Sequence, residues 1–118
     1  MRIHNIYADE NGETHFRDIQ IELSEAGPDG TTSKRFPATG VIFRATPADW
    51  FFDWHPATRR QYVINLAGVA EFETADGAKR RLYPGDILVA EDLTGHGHIA
   101  RSIGEEFRVS LAIPLADQ

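Results

Sequence analysis

The stretch QYVINLAGVAEFETADGAKRRL, residues 61–82, decides the fold class. Gln61–Leu66 and Val69–Thr74 each predict a strand, because β-branched and aromatic residues are frequent and a glycine separates the two runs. Asp76-Gly77 is a strong signal for a two-residue hairpin turn into a further strand, Ala78–Leu82. Short strands joined by tight turns indicate an all-β chain.

The same rhythm of strand and turn continues outside this stretch. Further strands are predicted at Thr14–Leu23, Thr39–Ala45, Ile87–Ala90, His98–Arg101 and Arg108–Pro114. Ser24–Lys34 is polar and glycine-rich, so it is expected to be a mobile loop. Glycine and proline recur too often for a full helix. Roughly eight to ten short strands without a helix predict a sandwich or barrel, in one domain spanning residues 1–118.

Composition excludes several classes of function. The chain has 118 residues and no cysteine, which excludes disulfides, thiolate metal sites and cysteine nucleophiles. Its net charge of −6 argues against nucleic-acid binding, which depends on neutralising phosphates. No apolar run is long enough for a membrane-spanning helix, and the first residues lack the apolar core of a signal peptide. A cytoplasmic protein that binds neither membrane nor nucleic acid is therefore expected.

Histidine is the commonest metal ligand and a frequent proton carrier, so its placement matters. His96 and His98 lie in the segment Gly-His-Gly-His, and side chains two apart on an extended strand share a face. The glycines also permit a turn that would separate the rings. We expect one of the two to point inward, and we favour His98 because it begins the next strand.

A second candidate group lies on the strand that starts at Gln61. Gln61, Val63 and Asn65 share one face of that strand, and His55 precedes it in the segment Trp-His-Pro. Two amides on one face predict either a polar lumen or a face exposed to solvent. Arg59 shares this phase and could bind a substrate carboxylate, or it could face solvent.

Two segments, WHPATRRQYVINLAGVAEF (54–72) and YPGDILVAEDLTGHGH (83–98), together resemble the paired motifs of the cupin superfamily. Anchored on Gly68, the first motif places its first histidine at His55, and the second begins at Gly85-Asp86 and ends at His98. The resemblance covers about residues 38–113. It implies a single small jelly-roll barrel of the cupin type.

The resemblance also implies a metal site, with departures. Metal-binding cupins present three histidines and one glutamate, and here the second histidine position is Ala57 and the glutamate position is Gln61. The candidate ligands are His55, His98 and Gln61, with His96 as a further possibility, for iron, manganese, nickel or zinc. An amide is a weaker ligand than a carboxylate, so weak or absent metal is expected. The nearby acids are Asp53, Glu91 and Asp92, which are expected at the rim or in turns.

Two functions follow from the resemblance. The first is binding of a small polar or aromatic molecule in the lumen by His55, Gln61, His98, Arg59 and Asn65. The alternative is a metal-dependent enzyme of the dioxygenase, isomerase or decarboxylase type.

A homodimer is expected from the opposite face of the same strand. If Gln61 points inward, then Tyr62, Ile64 and Leu66 point outward. Three large apolar side chains in a row form a patch that a monomer rarely leaves in water. The predicted strand Thr14–Leu23, with Ile19, Ile21 and Leu23 in one row, could cover this patch within the chain or reach across to a partner.

Overall fold

The computed structural model describes residues 1–116, and within that range it contains strands and no helix. The strands are β1 (Arg2–Ala8), β2 (Thr14–Gln20), β3 (Glu25–Gly27), β4 (Gly30–Thr32), β5 (Ile42–Thr46), β6 (Phe51–His55), β7 (Gln61–Ala67), β8 (Val69–Glu73), β9 (Lys79–Leu82), β10 (Ile87–Ala90), β11 (His98–Ile103) and β12 (Arg108–Pro114). The all-β class predicted from the sequence is confirmed. No helix among the described residues has the length and apolar character needed to cross a membrane.

Two sheets and one small hairpin make up the architecture. The larger sheet has six strands in the order β2-β1-β10-β7-β12-β5, and the smaller has four in the order β6-β11-β8-β9. β1 and β10 run parallel, whereas the other pairs are antiparallel. The main core contains Ile6, Val63 and Leu88 from the six-stranded sheet and Phe72 and Ala100 from the four-stranded sheet. The two sheets therefore pack face to face.

The structure departs from the predicted strands in three places. Arg2–Ala8 forms β1, although buried Asn5 interrupts its apolar pattern; the Asn5 amide donates to the Val89 carbonyl at 3.0 Å. Phe51–His55 forms β6, which was predicted only as an aromatic run, and the predicted loop Ser24–Lys34 contains the β3–β4 hairpin. β6 pairs with β11, which is distant in sequence, so no local pattern reveals it. β1 pairs with distant β10 and also with its neighbour β2.

The outer face of the six-stranded sheet is apolar. Val63 and Asn65 of β7 are buried, and the alternating residue Leu66 is 48% exposed. Leu111 of β12 lies between Ile64 and Phe43 in the register of β7, β12 and β5, and Phe43 is 78% exposed. Apolar side chains thus continue across three neighbouring strands on this face.

Candidate functional site

A cavity of about 330 Å³ lies between the two sheets. Its apolar wall includes Trp50, Phe52, Val63, Phe72, Leu88 and Ala100, and its polar lining includes Arg44, Thr46, His55, Thr58, Gln61, His98 and Arg108. Both sheets contribute, since β5, β7, β10 and β12 belong to the larger and β6, β8 and β11 to the smaller. Apolar walls with a few polar groups are the usual composition of a small-molecule site.

His55 and His98 meet at one end of this cavity. They are directly paired in the register of β6 and β11, and their ring centroids lie 4.6 Å apart. Phe52 stacks on the His55 ring at 3.7 Å. Gly97 makes this approach possible, because it adopts a φ of +81° and a Cβ there would overlap the backbone carbonyl of His55.

Each of the two histidines engages its Nδ1 in a hydrogen bond, and its other ring nitrogen is Nε2. His98 is buried, and its Nδ1 lies 2.6 Å from Oδ2 of buried Asp92, a spacing that orients the imidazole with its proton on Nδ1. His55 Nδ1 donates to the backbone carbonyl of Asp53 at 2.7 Å. Burial lowers the pKa of His55, although the Asp53 hydrogen bond opposes the shift. Neutral His55 therefore leaves a lone pair on Nε2.

The acids near the site do not all lie where the sequence predicted. Asp92 was expected at the rim or in a turn, but it is fully buried behind His98. A buried carboxylate requires a hydrogen-bond donor, and the His98 Nδ1–H supplies one to Asp92. Glu91 instead faces outward and pairs with Arg60 at 2.7 Å, and Asp53 is exposed.

The cavity residues fit a resident metal ion poorly. His55, Gln61 and His98 line the same cavity, as the sequence predicted, but no carboxylate from residues 1–116 lines it with them. Within residues 1–116, the one group of three ionisable side chains with ligand spacing is Asp9, Glu13 and His15, which lies elsewhere. Two arginines line the cavity and repel a cation.

Three predicted site residues lie outside the cavity. Asn65 is buried, but its amide donates to the Gly68 carbonyl at 2.7 Å and to the Leu82 carbonyl at 3.1 Å, so it serves the β7–β8 turn. Arg59 is exposed. His96 is exposed and packs against Trp54 with ring centroids 4.4 Å apart. These three residues therefore do not line the cavity, and of the two neighbouring histidines His98 is the one that does.

Two charged residues of the cavity were not predicted from the sequence, namely Arg44 on β5 and Arg108 on β12. A signal for Arg108 was present, because the apolar row Val109, Leu111 and Ile113 marks one face of β12 and leaves Arg108 on the other. An arginine alternating with an apolar row is ordinarily solvent-exposed. The second sheet packs against this face and buries Arg108.

Comparison with known proteins shows only the fold. No family model matches the chain, and no curated protein matches it. A solved structure of a conserved protein of unknown function from Streptococcus pyogenes is similar, with 19% sequence identity and a TM-score of 0.50. The similarity covers 75% of this chain and 72% of that chain. At this identity it supports a shared all-β fold and says nothing about activity.

Proposed function

We propose that this protein is a small cupin-like barrel that binds a small organic molecule between its two sheets. The observation that carries the proposal is the cavity, with aromatic side chains on its wall and His55 and His98 at one end. The order of motifs in the sequence supports the cupin-type jelly roll. The opposed sheets are consistent with it.

The dimensions of the cavity favour a ligand of modest size. A volume of 330 Å³ corresponds to the liquid volume of about ten water molecules. A molecule of roughly ten non-hydrogen atoms would fill it and contact Trp50, Phe52 and Phe72. Polar groups of the ligand would then meet the imidazole Nε2 atoms and the Gln61 amide, which fix its orientation.

The alternative of a metal-dependent enzyme has weaker support. His98 carries the carboxylate partner that oriented metal-binding histidines usually have. The cavity nevertheless supplies two imidazoles and one neutral amide, beside two arginines. This donor set favours an organic ligand over a divalent cation.

A fragment screen by ¹H–¹⁵N NMR tests the proposed function. Compounds of about ten non-hydrogen atoms are expected to shift the amides of Phe52, His98 and Ala100. Ala57→Phe, which places a ring at a cavity-lining position, should abolish these shifts. Ala78→Phe is the matched control, because it adds the same ring at an exposed position in the β8–β9 turn and should leave binding intact. Shifts that cluster outside the cavity, or that persist in Ala57→Phe, would contradict the proposal.

We also propose that the outer apolar face pairs with a second copy of the chain. Phe43 and Val109 are 78% and 40% exposed on neighbouring strands, and the patch extends to Leu66. Closed twofold dimers are the commonest oligomers, and they bury such a patch against itself.

The molar mass of the unaltered protein and of Phe43→Asp, measured by sedimentation or light scattering, tests this pairing. The unaltered protein is expected at twice 13.2 kDa at micromolar concentration, and Phe43→Asp at 13.2 kDa with an unchanged circular dichroism spectrum. Phe43 suits the test because its exposure makes unfolding by aspartate improbable. A monomeric unaltered protein would refute the dimer.

A further inference from the structure

We propose that the ligand of the cavity is a small organic carboxylate, whose carboxylate is bound by Arg108 and Arg44. This inference rests on the proposed function and names the chemical class of the ligand. It depends on two guanidinium groups that face the cavity without an anionic partner.

Arg108 is the stronger of the two observations. It lies at the start of β12, lines the cavity and is only 4% exposed. Its Nε has no hydrogen-bond partner, and its guanidinium forms no ion pair with any residue of 1–116. The guanidinium carbon of Arg108 lies 5.9 Å from the ring centroid of Phe72. Buried charges are normally paired, so an unpaired guanidinium in a cavity indicates an anion that binds there.

Arg44 doubles the positive charge at the same place. In the register of β5 and β12, Arg44 lies opposite Ser110 and Thr46 lies opposite Arg108, so the two arginines are diagonal neighbours. Arg44 also lines the cavity, and its buried Nε likewise lacks a partner. The two positive guanidinium groups repel each other, and an anion bound between them would offset this repulsion. Burial and the neighbouring Arg44 lower the pKa of Arg108 to about 10, in keeping with the missing counter-charge.

The acids and histidines of the site do not supply that counter-charge. Asp92, the buried carboxylate behind the cavity wall, is hydrogen-bonded to His98 and does not line the cavity. The remaining ion pairs of the described residues engage other arginines, among them Arg60, Arg80, Arg81 and Arg101. Since no acid among residues 1–116 pairs with either arginine, the ligand supplies the anion.

A carboxylate fits this arrangement better than inorganic phosphate. A guanidinium binds a carboxylate through two parallel hydrogen bonds, and Arg108 and Arg44 each present such a fork. The rest of the cavity is largely apolar, with Trp50, Phe52 and Phe72 on its wall. An organic carboxylate uses both parts, whereas phosphate would leave the apolar wall without a contact.

Tryptophan fluorescence provides a direct binding measurement. The chain has two tryptophans; Trp50 lines the cavity and Trp54 packs outside it on His96. Trp54→Phe therefore leaves a single reporter in the cavity. Titration of this protein with benzoate should change the Trp50 emission, and the neutral isostere benzamide should bind at least tenfold more weakly.

Substitutions of the arginines locate the carboxylate. In the Trp54→Phe background, Arg108→Met should weaken benzoate at least tenfold and leave benzamide unchanged, and Arg108→Lys should retain part of the affinity. Arg59→Met is the matched control, because this arginine is exposed outside the cavity and should not alter the titration.

The outcomes separate this inference from the proposed function. Equal binding of benzoate and benzamide, or benzoate affinity that survives Arg108→Met, would overturn the carboxylate assignment while leaving a ligand-binding cavity. Inorganic phosphate that competes with benzoate at equal concentration would also overturn it. Failure of both compounds to bind would count against the proposed function itself.

Discussion

Gly97→Ala is expected to destabilise the protein on the order of 4 kcal/mol, which is large for a single methyl group. The residue has a φ of +81°, which is costly for alanine, and the added Cβ would overlap the backbone of His55. Two rigid strands meet at this point, so the overlap cannot be relieved by rotating a side chain. Urea denaturation of the two proteins measures the loss.

Gly77→Ala is the matched control for this substitution. Gly77 has a nearly equal φ of +87°, but a Cβ there would meet no atom within 4 Å. It should therefore cost only the backbone strain, about 1 kcal/mol. If Gly97→Ala costs no more than Gly77→Ala, the close approach of β6 and β11 at His55 is not a tight contact, and the pairing of His55 with His98 needs no glycine.

Arg108→Met is expected to raise the stability of the protein without ligand. Lowering the pKa of Arg108 to about 10 corresponds to a cost on the order of 3 kcal/mol for keeping the buried guanidinium charged at neutral pH. Methionine has a similar length and carries no charge, so thermal unfolding at pH 7 should occur at a higher temperature. Arg59→Met, at an exposed position, should leave the melting temperature nearly unchanged.

The pH dependence of this gain has a defined sign. The pKa of Arg108 in the folded protein, about 10, lies below its value in the unfolded chain, so the unfolded chain binds more protons in a window that opens near pH 10. The stability of the unaltered protein should therefore rise with pH in that window, and the advantage of Arg108→Met should shrink. Saturating benzoate at pH 7 should narrow the difference as well, because it stabilises only the protein that binds it. An Arg108→Met protein that is less stable at pH 7 would show that the charge is compensated.

The strands that could be predicted are those that carry their own turn signals. Ile87–Ala90 and Arg108–Pro114 have the predicted bounds, and Asp76-Gly77 joins β8 to β9 as expected. β1 was not predicted, because its buried Asn5 reads as polar and breaks the apolar pattern. One partner, β10, is more than 80 residues away, although the other, β2, is the next strand along the chain.

The residues of the candidate site also fall into those that the sequence could predict and those that it could not. His55, Gln61 and His98 line the cavity, and the alternation along β7 and the motif order were sufficient to place them there. Asn65 has the correct phase but lies at the far end of the strand, where a turn needs its amide. The alternation of side chains predicts which face of a strand a residue lies on, but not where along the strand the cavity lies. Arg108 was not predicted, because its face of β12 becomes an interior face only when the second sheet packs against it. The sequence of a single strand does not show this packing.

The parallel pairing of β1 with β10 affects the order in which the protein is assembled during synthesis. Ile6 pairs with Ala90, and at a translation rate of about 5–20 residues per second the ribosome needs about 4–17 s to make the intervening chain. During this time β1 can pair only with β2, its neighbour in sequence, and its other edge remains open. The Asn5 amide, which bonds to Val89 and Glu91 in the finished fold, must stay hydrated until those residues emerge. A nascent chain therefore exposes an unpaired strand edge for seconds, the state in which strands of neighbouring chains can pair wrongly.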